Sequence, residues 1–127
     1  MNKNEQRPVF LNLFRIRFPA TAVASFGHRL AGVLLFVLLP VLIYAVELSL
    51  RGPQGFEAVS QWLASWPIQL LLWLVAWAGL HHLFAGLRFL LIDVDVGVAR
   101  QSARIGAWLV TVGGFVGAVL IIVGAML

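Results

Sequence analysis

Cysteine is missing from all 127 residues, and acidic residues number only five. Without a thiol the chain can form no disulfide, no thiolate zinc site and no cysteine-ligated iron–sulfur cluster, so any such centre belongs to another polypeptide. Charge of either sign is scarce: 11% of residues are Asp, Glu, Lys or Arg, while 61% are hydrophobic. A domain of 13.9 kDa has a large surface for its volume, and fourteen charged residues would leave much of it greasy in water. A mean hydropathy of +0.97 has the same implication. A bilayer is the better solvent. The net charge of +4 would, on a soluble module, point to nucleic acid. Here the basic residues lie near the ends of apolar runs rather than on one module, so they are read as topology signals and not as a nucleic-acid surface.

Three uncharged stretches stand between the charges: residues 30–46, 67–87 and 105–127, of 17, 21 and 23 residues. As α-helices they are roughly 26, 32 and 35 Å long, against a hydrocarbon core of about 30 Å. The first extends back through the small and apolar residues 21–28, with Pro19 suited to a first turn, and this draws Arg29 into the helix. The reading is an all-α membrane protein, a single domain over residues 1–127. It has an arm over 1–20 and transmembrane helices at about 21–48, 66–92 and 104–127. Lys3, Arg7, Arg15 and Arg17 precede the first span, and Arg88, Arg100 and Arg104 flank the second loop, whereas the first loop holds only Arg51. The positive-inside rule then puts the N-terminus in the cytoplasm and the C-terminus in the periplasm. Four positive charges spread over 17 residues, ahead of a span too long for an h-region, argue against a cleaved signal peptide. In the first loop, a turn over 51–55 leads into a short interfacial helix over 56–62, and Trp62 and Trp66 suit an aromatic belt.

Polar residues that a spanning helix does not need fall in two clusters. Ser25, His28, Arg29 and Gly32 share a face by offsets of three, four and seven, near the cytoplasmic end of the first span. Hydroxyl, imidazole and guanidinium together suit an anionic or carbonyl-bearing group; the plainer reading has Arg29 snorkelling to lipid phosphate with His28 as interfacial filler. In the second span, His82, Gly86, Phe89 and Asp93 form one stripe, and His81, Ala85, Arg88 and Ile92 form its neighbour. His82 lies roughly 9 Å deeper than Arg88. A neutral imidazole is a good haem iron ligand, a glycine one turn away leaves room for a flat macrocycle, and arginines nearer the surface suit its propionates. A histidine bonded to a neighbouring helix gives the same pattern. Pro40, Gly113, Gly114 and Gly117 read as structural: a kink in the first span and a smooth packing face on the third. Glu47 and Arg51, one turn apart, read as a weak exposed pair.

These residues resemble the cytochrome b large membrane-anchor subunit of succinate dehydrogenase, respiratory complex II. The stretch from Arg7-Pro8 to Pro19 is similar to the family's N-terminal arm. Ser25-x-x-His28-Arg29-x-x-Gly32 is similar to one signature, and His82-x-x-x-Gly86-x-Arg88 through Asp93 to a second, in the same order on a three-span chain. The resemblance implies a membrane-anchor domain within a heteromeric helix bundle of the bacterial inner membrane. It implies His82 as an axial ligand of haem b, with the second axial histidine from a small anchor subunit. It also implies His28 and Arg29 near the haem propionates, and Ser25 with Arg29 in part of the ubiquinone site. FAD and the iron–sulfur clusters would belong to the flavoprotein and iron–sulfur subunits, and this chain would not be catalytic alone. The sequence departs at Phe89, where relatives often carry another histidine, and at His81, where relatives can carry an aromatic residue. The spacing to Gly86 and Arg88 favours His82 over His81 as the ligand. Two alternatives share the architecture: the anchor of a fumarate reductase using a low-potential quinone, and a non-redox assembly or transport subunit.

Overall fold

A computed structural model describes residues 17–126, with Met126 by its backbone alone. The Arg7-Pro8 arm and the charges at Lys3, Arg7 and Arg15 lie outside the described residues. Within them the chain is all helix and turn: α1 (Ala20–Ser49), α2 (Pro53–Ala64), α3 (Trp66–Asp93) and α4 (Arg100–Met126). Of these, α1, α3 and α4 are long and apolar enough to cross a membrane.

Proline and glycine set several of the boundaries. Pro19, in extended conformation, caps α1, which runs from Ala20 and contains Arg29. Pro40 lies inside that helix, where its missing N–H leaves the Phe36 carbonyl without its helical donor. Gly52 adopts φ 128°, a conformation closed to other residues, and so turns the chain into Pro53 at the first position of α2. The end of α1 crosses α2 closely: a side chain at Gly55 would run into the Leu48 carbonyl. Tyr44 of α1 stacks on Trp62 of α2 with ring centroids 6.3 Å apart, and Arg51 grips Glu47 through two hydrogen bonds of 2.8 and 3.0 Å. Both partners of that ion pair are more than half exposed, so it adds little to stability.

The spans alternate in direction, which gathers Arg17, Arg88, Arg100 and Arg104 at one end of the bundle. Helix α3 is central and packs on both α1 and α4. Its contact with α4 is antiparallel: Gly106, Gly113, Gly114 and Gly117 of α4 meet Arg88, Phe84, His81 and Leu80 in reverse order. Lipid tails give apolar helices no solvent-driven reason to associate, so close backbone approach over small residues has to supply the attraction. The buried side chains follow that rule: Ala24, Ala31, Ala78, Ala85, Ala107 and Ala118, with Val59 and Val110. Among the described residues His81 alone is a buried polar side chain, 1% exposed.

The turn after α3 closes with two backbone bonds, Val96 N–H to the Leu91 carbonyl at 2.8 Å and Asp95 N–H to the Ile92 carbonyl at 2.9 Å. This is the Schellman pattern, and it puts Asp95 in the left-handed region at φ 62°, where glycine is the usual occupant. Asp95→Gly is expected to raise the unfolding midpoint by a gain of roughly 0.5–1 kcal/mol, the residual left-handed cost of an aspartate less glycine's greater chain entropy. Asp95→Val should lower it. Thermal denaturation of the two variants in the same detergent checks both directions.

Candidate functional site

Two consecutive residues of α3, His81 and His82, both reach α1, and each meets a main-chain oxygen there. A carbonyl only accepts, so the ring nitrogen facing it must carry the proton. His82 donates from Nδ1 to the His28 carbonyl at 3.1 Å, and His81 donates from Nε2 to the Ala24 carbonyl at 3.4 Å. The two neighbours are therefore opposite tautomers. Nε2 of His82 keeps a lone pair with no hydrogen-bond partner among the described residues, on a half-buried ring, whereas the lone pair on Nδ1 of His81 is buried without a donor.

Glycines make this approach possible. A side chain at Gly27 would put its Cβ 2.6 Å from Nε2 of His81, and one at Gly32 would come within 3.0 Å of Cε1 of His82. Across the bundle, a Cβ at Gly114 would meet the His81 backbone at 3.1 Å. His28 lies flat on His82, with ring centroids 4.0 Å apart and planes 12° from parallel. Phe89 packs its edge on His28 at 5.3 Å. Nε2 of His28 is buried without a partner beside Gly86, where a Cβ would stand 3.7 Å away. His28, His82, Gly32, Gly86 and Phe89 thus form one cluster between α1 and α3.

The face carrying Ser25, His28, Arg29 and Gly32 divides in the structure. His28 and Gly32 turn to α3, while Ser25 is half-buried and Arg29 exposed on the flank of α1, and neither makes a hydrogen bond among the described residues. The His81 stripe of α3 divides too. His81 reaches α1, as do His82, Gly86 and Phe89 of the other stripe, but Arg88 turns to α4, where its guanidinium donates to the Ala103 carbonyl at 3.1 Å and lies against Gly106. Of the arginines near the surface, Arg29 is the one next to His28 in sequence, and it has no hydrogen-bond partner among the described residues. The stacked histidines and the Arg88 contact are not visible in the periodicity, because each depends on a residue of another helix.

Chemically, the cluster presents an imidazole whose one nitrogen is held and whose other is free to ligate, with an exposed cation close by along α1. No three His, Asp or Glu residues converge as they would around a bare metal ion, among the described residues. The family of the succinate dehydrogenase/fumarate reductase transmembrane subunit matches residues 3–121. The chain belongs to that family. Within it, the transmembrane subunit is similar to a Coxiella burnetii (strain RSA 493 / Nine Mile phase I) protein named succinate dehydrogenase cytochrome b556 subunit. The two are 36% identical over 119 residues, covering 92% of this chain and 94% of the relative. A Paracoccus denitrificans protein of the same name is 27% identical over 117 residues, 92% of this chain and 90% of that one. Three long apolar helices agree with a transmembrane subunit, so the protein is a multi-pass membrane protein.

Proposed function

We propose that this transmembrane subunit is the haem b-binding anchor of a bacterial inner-membrane succinate:quinone oxidoreductase. The observation that carries the reading is the Nε2 of His82, without a hydrogen-bond partner among the described residues, on a ring fixed by the Nδ1 bond to the His28 carbonyl. Metal-binding histidines use this arrangement, in which the second nitrogen is anchored so that tautomer and ring direction are set in advance. A lone imidazole without neighbouring protein ligands suits an iron held chiefly by a macrocycle. Gly32 lets the His82 ring close onto α1 and Gly86 lies against His28, so the glycines seat the histidines, and Arg29 supplies a cation for a carboxylate at the membrane surface. The residues present therefore fit haem b, which when bound supplies a one-electron couple. His82 would hold it together with a histidine of a second, small anchor subunit.

In this reading a flavoprotein oxidises succinate and an iron–sulfur subunit carries the electrons to ubiquinone at the cytoplasmic face. The end of the bundle that gathers Arg17, Arg88, Arg100 and Arg104 is the cytoplasmic one, as the distribution of positive charge favours. There the Ser25 hydroxyl and the Arg29 guanidinium orient the quinone carbonyl and stabilise the negative charge that grows on its oxygen. The names carried by the two relatives favour succinate oxidation over fumarate reduction as the working direction.

Deleting the chain tests the anchoring role. Dye-linked succinate oxidation is expected to move from the membrane to the soluble fraction, and succinate:quinone activity to disappear. Dye-linked activity that stays on the membrane, with quinone reduction intact, would refute it. In parent membranes, fumarate reduction with a low-potential quinol faster than succinate oxidation would instead favour the fumarate reductase anchor.

A further inference from the structure

His81 is the most enclosed polar side chain among the described residues. Its ring fills the notch that Gly27 leaves on α1, its backbone lies against Gly114 of α4, and Trp77 stacks on it from one turn earlier, with centroids 5.3 Å apart and planes 21° from parallel. It is thus in contact with all three spans at one level. The notch filled by His82 is at Gly32, five residues further along α1. The carbonyls the two rings bind, Ala24 and His28, are one helical turn apart. Two adjacent imidazoles on one helix therefore grip two successive turns of the other. Rotating α3 about its axis, or sliding it along α1, would break both grips at once.

We propose that His81 is a positioning residue for His82: it fixes the rotation and depth of α3 on α1, and with them the direction in which the free Nε2 of His82 points. Its own lone pair is directed into the bundle and is not available to a ligand from outside. This division also explains why only one of two adjacent histidines serves the site. The inference rests on His82 being the haem ligand.

The test uses the complex purified with its copurifying subunits, comparing His81→Leu, which fills space without a donor, with His81→Gln, whose amide can restore the donor to Ala24. Haem content is measured first, then the low-field feature of the oxidised haem's electron paramagnetic resonance spectrum, which reports the orientation of the axial imidazoles. The expected result is near-parent haem content in both variants, a shifted and broadened low-field feature in His81→Leu, and a return toward the parent position in His81→Gln. If His81→Leu does not assemble, Gly27→Ala carries the same test, since the new methyl displaces the His81 ring while leaving the histidine in place. An unshifted feature at full haem content would overturn the positioning role alone. A parent complex without haem would overturn that role together with the reading beneath it.

Discussion

His82→Ala should remove the haem from an otherwise assembled complex. The alanine cannot ligate, and in the proposed reading only a histidine of the second anchor subunit would remain to hold the haem. His28 is stacked on His82, but its Nε2 faces Gly86 and its ring has no main-chain anchor, so it does not take over as ligand. His81 is enclosed by Gly27, Trp77 and Gly114 and cannot swing out either. The expected loss of low-spin b-type absorption is therefore near complete, with flavin and iron–sulfur content unchanged. His81→Gln, by contrast, should keep the haem. A His82→Ala complex that retains the parent spectrum would mean that the ligand lies elsewhere.

Arg29→Leu is expected to have the second largest effect, on quinone chemistry. The side chain is exposed on α1, beside His28, and unpaired among the described residues, so it is available to a quinone carbonyl as well as to a haem carboxylate. Removing a donor that acts on developing oxyanion charge costs on the order of 10²-fold in turnover. Ser25→Ala, which removes a neutral hydroxyl, should cost about tenfold, the equivalent of about 1.4 kcal/mol for one hydrogen bond. Succinate oxidation by an artificial dye, which bypasses the quinone, should stay near the parent rate in both. Measuring the two activities on the same membranes separates the outcomes. Equal loss of both would indicate failed assembly and remove support for a role at the quinone.

Much of this arrangement was legible along the chain, and what was not has a common physical origin. The uncharged runs, together with Pro19 and the small residues after it, mark the three long helices, because length and hydropathy are properties of each helix by itself. The division of α3 into a His82 stripe and a His81 stripe is likewise fixed by helical period. Where each stripe goes is not, since it depends on the other helices. Gly27 and Gly32 open α1 to the two imidazoles, Gly114 brings α4 against His81, and Gly106 makes room for Arg88. The glycines of the last span read as a smooth packing face, which they are, but their partners Leu80, His81 and Phe84 emerge only with the antiparallel pairing of α3 and α4. Arg88 is the instructive departure. Its depth put it among the surface arginines suited to haem propionates, yet its guanidinium turns to α4, where Gly106 leaves room for it and the Ala103 carbonyl accepts a hydrogen bond from it. Phe89, where relatives often carry a histidine, packs on His28 in a T-shaped arrangement and so closes the cluster with an apolar contact.

The most direct test is a reduced-minus-oxidised visible spectrum of the tagged chain, purified with its copurifying subunits in mild detergent. The subunits must stay, because this chain offers one free imidazole to an iron that needs two. Low-spin b-type bands, with flavoprotein and iron–sulfur subunits in the same preparation, are the predicted result. An intact complex with those subunits and no haem bands would contradict it, and would leave the His28–His82 pair as a helix-packing device in a haemless anchor.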